Sequence, residues 1–558
     1  MNTFTALATI ASAGIAAYGL LLFTSYILWD GWGYSHWLGQ VGQLPHIQQL
    51  FREIGRPMDE LFWMPFVGVR DMHAPAKIAG LSAWIVTSCL MYLVLLKSRF
   101  APPPAALLCS LLAAALPVFD VLGELAIWMN TACVALFWAA WYLVVSMPAE
   151  GVLRWMLRVF ALMAFFLSFN LNSLLVFFYA VALCLVLSPA VPSGFGSIAM
   201  AVRKAIFRYV DFAILPIAFW LWKKVFTPNS GHYEGYNNPS LSLEILSRTG
   251  GSLFDGFIAG ELKALFESPL WVVATLVVVL LAALSLQRLG AKLPAVGTAK
   301  VGLMLVLSGS FLLIAGAFPY AVVDQSFSSF GWLSRNCILF PLPLGMIIVG
   351  GFTLLGAKAA AHRPGLVWLA VAFVALLAVG SSNRTILRLQ AFGEKQESVA
   401  RKLRASFADA PPAFVQLRDY FLIPKTIYFY PPIVWTYLMA RGLQIPRTFV
   451  VETSQMAPDQ VSLDSSGVPQ RRITVLDVNR SIIEAAVEQT TMPYAMTQIP
   501  RHGRQALAVV EPGDFGEDGV RIGWQALKTR WLQPSEMPDF LERLTRVQVR
   551  DLPSIPAE

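Results

Sequence analysis

Apolar residues run in long blocks from the N-terminus to about residue 385. They cover roughly 5–29, 76–97, 104–120, 124–147, 153–169, 172–190, 207–226, 268–287, 300–322, 335–357 and 364–385. A helix needs about 20 mostly apolar residues to cross a bilayer. The pattern therefore predicts an all-α polytopic membrane unit of about eleven transmembrane helices over residues 1–385. Only "FNLN" (169–172) separates the fifth and sixth blocks, so the helix count there rests on a four-residue break.

The polar connections alternate in character. Lys97 and Arg99, Arg154 and Arg158, Arg203 to Arg208, Arg288 to Lys300, and Lys358 with Arg363 fall in every second one. By the positive-inside rule those connections face the cytoplasm, which puts the N-terminus inside and the tail outside. The basic residues after the last block (Arg384 to Arg404) would suit a cytoplasmic tail, but long segments translocate largely regardless of charge. Two connections on the outer side are long, 30–75 and 227–267. In "LPHIQQLFREI" (44–54), Ile47, Leu50, Phe51 and Ile54 share one helical face, which predicts a short helix lying in the outer interface. The second loop reads as apolar faces interrupted by glycines.

From about residue 386 the pattern shortens and charge rises. "RRITVLDV" (471–478) and "ALAVVEP" (506–512) read as strands, and "MPDFLERLTRV" (537–547) as a helix, so the tail is expected to form an extramembrane α+β domain on the periplasmic side. "TIYFYPPIVWTYLMA" (426–440) is too broken by proline for a span and reads as packing the domain against the membrane. No phosphate-binding glycine loop, metal-ligand cluster or nucleophile elbow occurs there.

Composition agrees with the pattern: 56% of the 558 residues are hydrophobic and only 14% charged, with mean hydropathy +0.59. The N-terminus lacks a basic region before its first block and is not expected to be a cleaved signal. The net charge of +8 is spread over short loops rather than gathered in a stripe, so no nucleic-acid partner is expected. The five cysteines lie in or beside apolar blocks as small hydrophobes, without zinc-site spacing. All six histidines lie outside the blocks, which disfavours an acyltransferase working through an intramembrane histidine. Span interiors carry almost no charge, whereas transporters concentrate it there. Chemistry is expected at the outer surface.

The outer face gathers the candidates. Asp30 ends the first block inside "YILWDGWGYSHW" (26–37), beside Trp32 and Tyr34; an interfacial aromatic belt explains the rings but not the carboxylate. Arg56, Asp59 and Glu60 follow in the same loop, where Arg56 could instead fix a turn and the two acids a cap or solvated face. Asp120 and Glu124 mark another outer turn, and Lys223 and Lys224 end the seventh block, where snorkelling to headgroups is the alternative. Arg335 opens a span, a costly place for a cation unless it meets an acid or a phosphate.

One span, then a long outer loop with an acid and an interfacial helix, then a bundle, resembles the GT-C fold of membrane glycosyltransferases. "LWDGWGYSHWL" with "FREIGRPM" is similar to the first-loop pattern of bacterial lipid-linked sugar transferases that act on O-antigen and other surface glycans. "FPY…W.SRN" (318–336) is similar to a late-loop pattern in related polysaccharide-biosynthesis membrane proteins. Many such enzymes carry two acids close together after the first span. Here Gly31-Trp32-Gly33 follows Asp30, so a second acid must come from Asp59, Glu60 or Asp120.

The resemblance implies transfer of a sugar from a polyprenyl-phosphate donor to a glycan or lipid-linked acceptor at the outer face of a bacterial inner membrane. In that reading Asp30 is the general base, and Arg56, Arg335, Lys223 and Lys224 meet the lipid phosphate. Trp32 and Tyr34 line the sugar site. No organic cofactor is called for, and a divalent metal ion is allowed. Two other readings stay open, a polymerase or ligase of lipid-linked oligosaccharides and a non-enzymatic glycan exporter or scaffold.

Overall fold

The computed structural model describes the chain except residues 1, 29–30, 32–33, 36–43, 57, 70–71, 188–199, 201, 204–205, 229, 231–238, 241, 289–292, 360–364, 409–411, 413, 422–448, 453–502 and 556–558. Helices occupy every predicted apolar block. They are α1 (Thr3–Tyr18, extended by a 3-10 turn to Phe23), then α2 (Leu44–Glu53) and α3 (Asp59–Trp63) in the first long loop. The bundle continues with α4 (His73–Lys97), α5 (Pro103–Ala115), α6 (Trp128–Ser146), α7 (Val152–Ser168), α8 (Ser173–Leu187) and α9 (Val210–Phe226). After α10 (Leu243–Gly251) and α11 (Ala259–Phe266) in the second long loop come α12 (Pro269–Arg288), α13 (Ala299–Ala321), α14 (Pro341–Ala359) and α15 (Gly365–Ser406). Among the described residues six helices are long and apolar enough to cross a bilayer: α1 with its extension, α4, α6, α12, α13 and α15. A seventh arises if α14 is joined to the turn before it. The chain is a membrane protein.

Small residues let the bundle close. At the α13–α14 crossing a Cβ on Gly302 would lie 2.9 Å from the carbonyl oxygen of Gly350, and one on Gly350 would lie 2.7 Å from that of Gly302. Such close backbone approach is how membrane helices gain packing energy without a hydrophobic driving force between them. On the other side, Phe137, Trp141, Phe165 and Phe178 from α6, α7 and α8 interlock, with ring centroids 5.0–6.3 Å apart. Helix α12 instead exposes most of its apolar surface, as a lipid-facing helix does.

Several boundaries differ from expectation. The first block stops being helical at Phe23, and 24–28 run on without regular structure. Helix α5 ends at Ala115, so 116–127 form an irregular turn around a 3-10 segment, Asp120–Gly123. Arg335 does not begin the span: it lies in a 3-10 turn, Gly331–Cys337, bent 72° from α14. The glycines of the second long loop do not break it; a π-helical stretch, Ser252–Ile258, joins α10 to α11. Gly256 and Gly260 leave room there for the 327–329 segment, whose Ser329 N–H donates to the Gly256 carbonyl at 3.1 Å.

Helix α15 runs through residue 385 to Ser406, carrying the bundle into the tail. There β1 (Phe414–Asp419), β2 (Phe449–Glu452), β3 (Gly503–Pro512) and β4 (Thr545–Ile555) form a sheet of order β2-β1-β3-β4. Strand β1 is parallel to β2 and β3, while β3 and β4 are antiparallel. Helix α17 (Met537–Leu544) packs on β4, and α16 (Gly519–Leu532) packs on α15. The predicted strand at 506–512 falls within β3, whereas 545–547, read as helix, belongs to β4. The 471–478 strand and the 426–440 segment lie outside the described residues. Buried Lys395 pairs with Asp419, and Gly523 of α16 abuts the Leu387 carbonyl, so α15 is packed directly on the sheet and on α16.

Candidate functional site

Asp30 and Trp32 lie outside the described residues, but the chain on both sides of Asp30 is well anchored. The buried Glu124, from the turn after α5, accepts the Leu28 N–H at 2.9 Å through Oε2. Its Oε1 lies where a Cβ on Gly31 would collide with it, so any larger residue beside Asp30 must displace the Glu124 carboxylate. Upstream, Lys77 of α4 donates to the Thr24 carbonyl (3.0 Å), the Thr24 hydroxyl (2.9 Å) and the Tyr26 carbonyl (3.1 Å). Gln390 of α15 accepts the Ser25 N–H at 2.9 Å, and Trp531 of α16 donates to the Phe23 carbonyl at 2.8 Å. An irregular backbone buried in protein must find such partners. Here side chains from four other segments supply them. Tyr34 is buried and stacks on Trp63 at 4.9 Å, so one face of its ring is already covered.

A second group collects around the turn between α7 and α8. Asp59 is fully buried, with its Oδ2 3.2 Å from Arg56 Nε, and Asn170 donates to its other oxygen. The Arg56–Asp59 contact is out of hydrogen-bond alignment, so charge rather than geometry holds it. Burial lifts the Asp59 carboxyl above its ordinary range, with Arg56 and Asn170 pulling the other way. Arg56 also donates to Asn130 Oδ1 at 3.0 Å, and Lys223 to Asn172 Oδ1 at 3.1 Å. Lys223 lies within electrostatic reach of both Arg56 and Asp59. Tyr320, hydrogen-bonded to Ser173 at 3.3 Å, lies within reach of Arg56 and Arg335 alike. Arg335 is half-buried, its guanidinium 4.4 Å over the Trp332 ring. Two cations from distant segments, Arg56 and Lys223, thus meet at one polar turn, and Tyr320 links them to Arg335.

Lys224 and Glu60 stand apart. Lys224 is exposed, 5.2 Å over the exposed ring of Trp220, in the manner of a snorkelling lysine. Glu60 accepts from Gln48 of α2 at 2.5 Å, a contact that ties the two short helices of the loop together.

Asp120 belongs to a third group. It is buried, accepts the Gly331 N–H at 3.4 Å, and burial pushes its carboxyl up to about 8. Glu261 of α11 is buried within electrostatic reach of it. Burial first, and Asp120 second, raise its carboxyl well above the ordinary range, and both of its oxygens lack a hydrogen-bond partner among the described residues. Two buried acids within electrostatic reach of each other cannot both ionise cheaply. They supply two of the donors that a divalent cation would need. Among the described residues no group of three or more His, Cys, Asp or Glu is placed to hold a metal ion.

Sequence reasoning missed Asn130, Asn170 and Glu261. The asparagines in "FNLN" read only as a break between helices, and Glu261 as one position of an amphipathic run. Polar residues in so apolar a chain were the available signal, since each must be satisfied or functional.

Neither family models nor curated proteins match this sequence. Among solved structures the chain is similar to the archaeal oligosaccharyltransferase AglB from Archaeoglobus fulgidus, in complex with an inhibitory peptide and a dolichol-phosphate. The identity is 11%, the match covers 91% of this chain and 69% of that one, and the TM-score is 0.35. No function is carried over from it.

Proposed function

We propose that this protein is a GT-C-type membrane glycosyltransferase moving a sugar from a polyprenyl-phosphate donor to a glycan or lipid-linked acceptor. Its setting is the outer face of a bacterial inner membrane, with the N-terminus cytoplasmic and the 386–558 unit periplasmic. The observation that carries the reading is the grouping of Arg56 and Lys223 about the buried Asp59, with Tyr320 beside them within electrostatic reach of both Arg56 and Arg335. Cations grouped at a membrane interface suit a lipid phosphate.

In this mechanism the acceptor hydroxyl attacks the anomeric carbon as the bond from that carbon to the phosphate oxygen breaks. Asp30 takes the hydroxyl proton. The lipid phosphate leaves with the bonding pair, and the cations stabilise its growing charge. Glu124 acts on the Asp30 segment through the Leu28 N–H and beside Gly31, as a positioning residue. Asp120 supplies the second acid, in its neutral form at pH 7.

Purified protein in nanodiscs, given a polyprenyl-phosphate sugar with a labelled sugar moiety, tests the reading. Asp30→Asn keeps size and hydrogen bonding but removes the basic oxygen, so transfer should fall by about 10²–10⁴ with donor binding retained. Undiminished transfer by that variant would return Asp30 to an interfacial role.

A further inference from the structure

A cavity of about 320 Å³ opens between the irregular segment after α1 and the tail. Ser25, Tyr26 and Ile27 form one wall, Gly393, Glu394, Glu397 and Arg404 of α15 another, and Arg530, Met537 and Leu541 the third. From this cavity we infer a binding site for the neutral, hydroxyl-rich end of a glycan, which in the proposed reaction is the acceptor. The inference rests on the transferase reading for the word acceptor, and on the cavity alone for the ligand class.

Its location comes first. The wall at Ser25–Ile27 immediately precedes Asp30 in the chain, so an occupant sits beside the segment that carries the proposed base. The tail is what encloses it: without α16 and α17 the groove along α15 would be open. Size comes second. Ligand pockets span about 300–1,000 Å³, and the lower end suits a short saccharide end rather than a folded segment.

Chemistry decides the class. Glu394 Oε1 takes hydrogen bonds from Ser25 Oγ (3.0 Å), Gln390 Nε2 (2.5 Å) and Arg530 (2.6 Å), while Arg404 pairs with Glu397 at 3.2 Å. Two acids and two arginines neutralise each other, so the lining favours neither a phosphate nor a cation. What it offers is donors and acceptors side by side: carboxylate lone pairs, the Ser25 hydroxyl, and Arg530 Nε–H, buried without a hydrogen-bond partner among the described residues. Vicinal sugar hydroxyls, each both donor and acceptor, match that alternation. Met537, Leu541 and Ile27 provide apolar surface for the C–H face of a ring.

The test uses full-length protein in nanodiscs and a pool of neutral di- to tetrasaccharides released by mild acid from the host's surface glycan. Saturation-transfer difference NMR should detect binding by the wild type. Leu541→Trp, which fills the cavity, should abolish that signal and raise the acceptor KM at least tenfold, with donor KM unchanged. Should Leu541→Trp fail to fold, Glu397→Gln, at a half-buried position, should weaken saccharide binding at least threefold. Saccharide binding by a preparation that transfers no sugar would preserve the site and sink the transferase reading. Transfer with no saccharide signal, or an unchanged signal in a folded Leu541→Trp or Glu397→Gln, would overturn the site.

Discussion

Arg56 and Asp59 are paired three residues apart, Nε to Oδ2 at 3.2 Å, with Asp59 wholly buried and Asn170 reaching it from more than a hundred residues away. The pair pins the first long loop to the turn between α7 and α8. Removing one partner of a buried pair costs about 3–5 kcal/mol, because the other charge is left uncompensated. Asp59→Ala should therefore lower the midpoint of thermal unfolding in detergent markedly. The Asp59→Ala/Arg56→Met double variant should recover part of the loss. Equal midpoints for the wild type and Asp59→Ala would mean the pair holds nothing in place.

Arg335 and Lys224 should separate sharply. Arg335→Ala should reduce transfer severely. Arg335→Lys should restore only part of it, because lysine lacks the planar fork that grips two phosphate oxygens. Lys224→Ala should transfer normally, since its exposed side chain lies over the Trp220 ring. Initial rates across donor concentrations check this. Wild-type kinetics for Arg335→Ala would remove it from the site.

Gly31→Ala adds one methyl group, aimed at Glu124 Oε1. The Glu124 carboxylate must move to admit it, loosening its hold on Leu28 N–H, and a small displacement of a reacting group can cost about 10²-fold. Transfer should drop far more than thermal stability does. A variant with unaltered kcat would show that the Glu124–Gly31 contact does not position Asp30.

Asp120 makes stability depend on pH with a definite sign. Its folded value, about 8, lies above the ordinary 3.8, so between those limits the folded state holds more protons than the unfolded one. Stability should fall as pH rises from about 4 to 8 and level off beyond. Asp120→Asn, neutral throughout, should flatten that slope. Thermal unfolding of both proteins across the range checks it, and parallel curves would contradict it.

Reporter fusions after residues 98, 152, 200, 295 and 360 should read cytoplasmic, and those after 45, 245 and 450 should read external, following the alternation of Lys and Arg. A cytoplasmic signal at 45 would take Asp30 off the outer face and with it the proposed mechanism.

Local pattern was enough to locate the helices. A helix satisfies its backbone within itself, so an uninterrupted apolar stretch in a membrane has essentially one conformation to adopt. The amphipathic spacing of 44–54 likewise matches α2, and the apolar run at 506–512 falls in β3. Where helices end was less legible: Phe23, Ala115 and the bent turn at Arg335 are decided by side chains arriving from elsewhere, such as Lys77, Trp531 and Asp120.

Partnership was legible in neither spacing nor composition. Nothing about Asp59 in "RPMDE" announces burial, nor does "FNLN" announce that its asparagines meet Asp59 and Lys223. The cavity joins residues 25, 397, 404, 530 and 541, far apart along the chain. Sequence determines which residues carry charge and which stretches are helical, because those are properties of the residue and its near neighbours. Which charges meet, which are buried, and what space is left between them depend on how distant helices pack, and only the tertiary structure decides that.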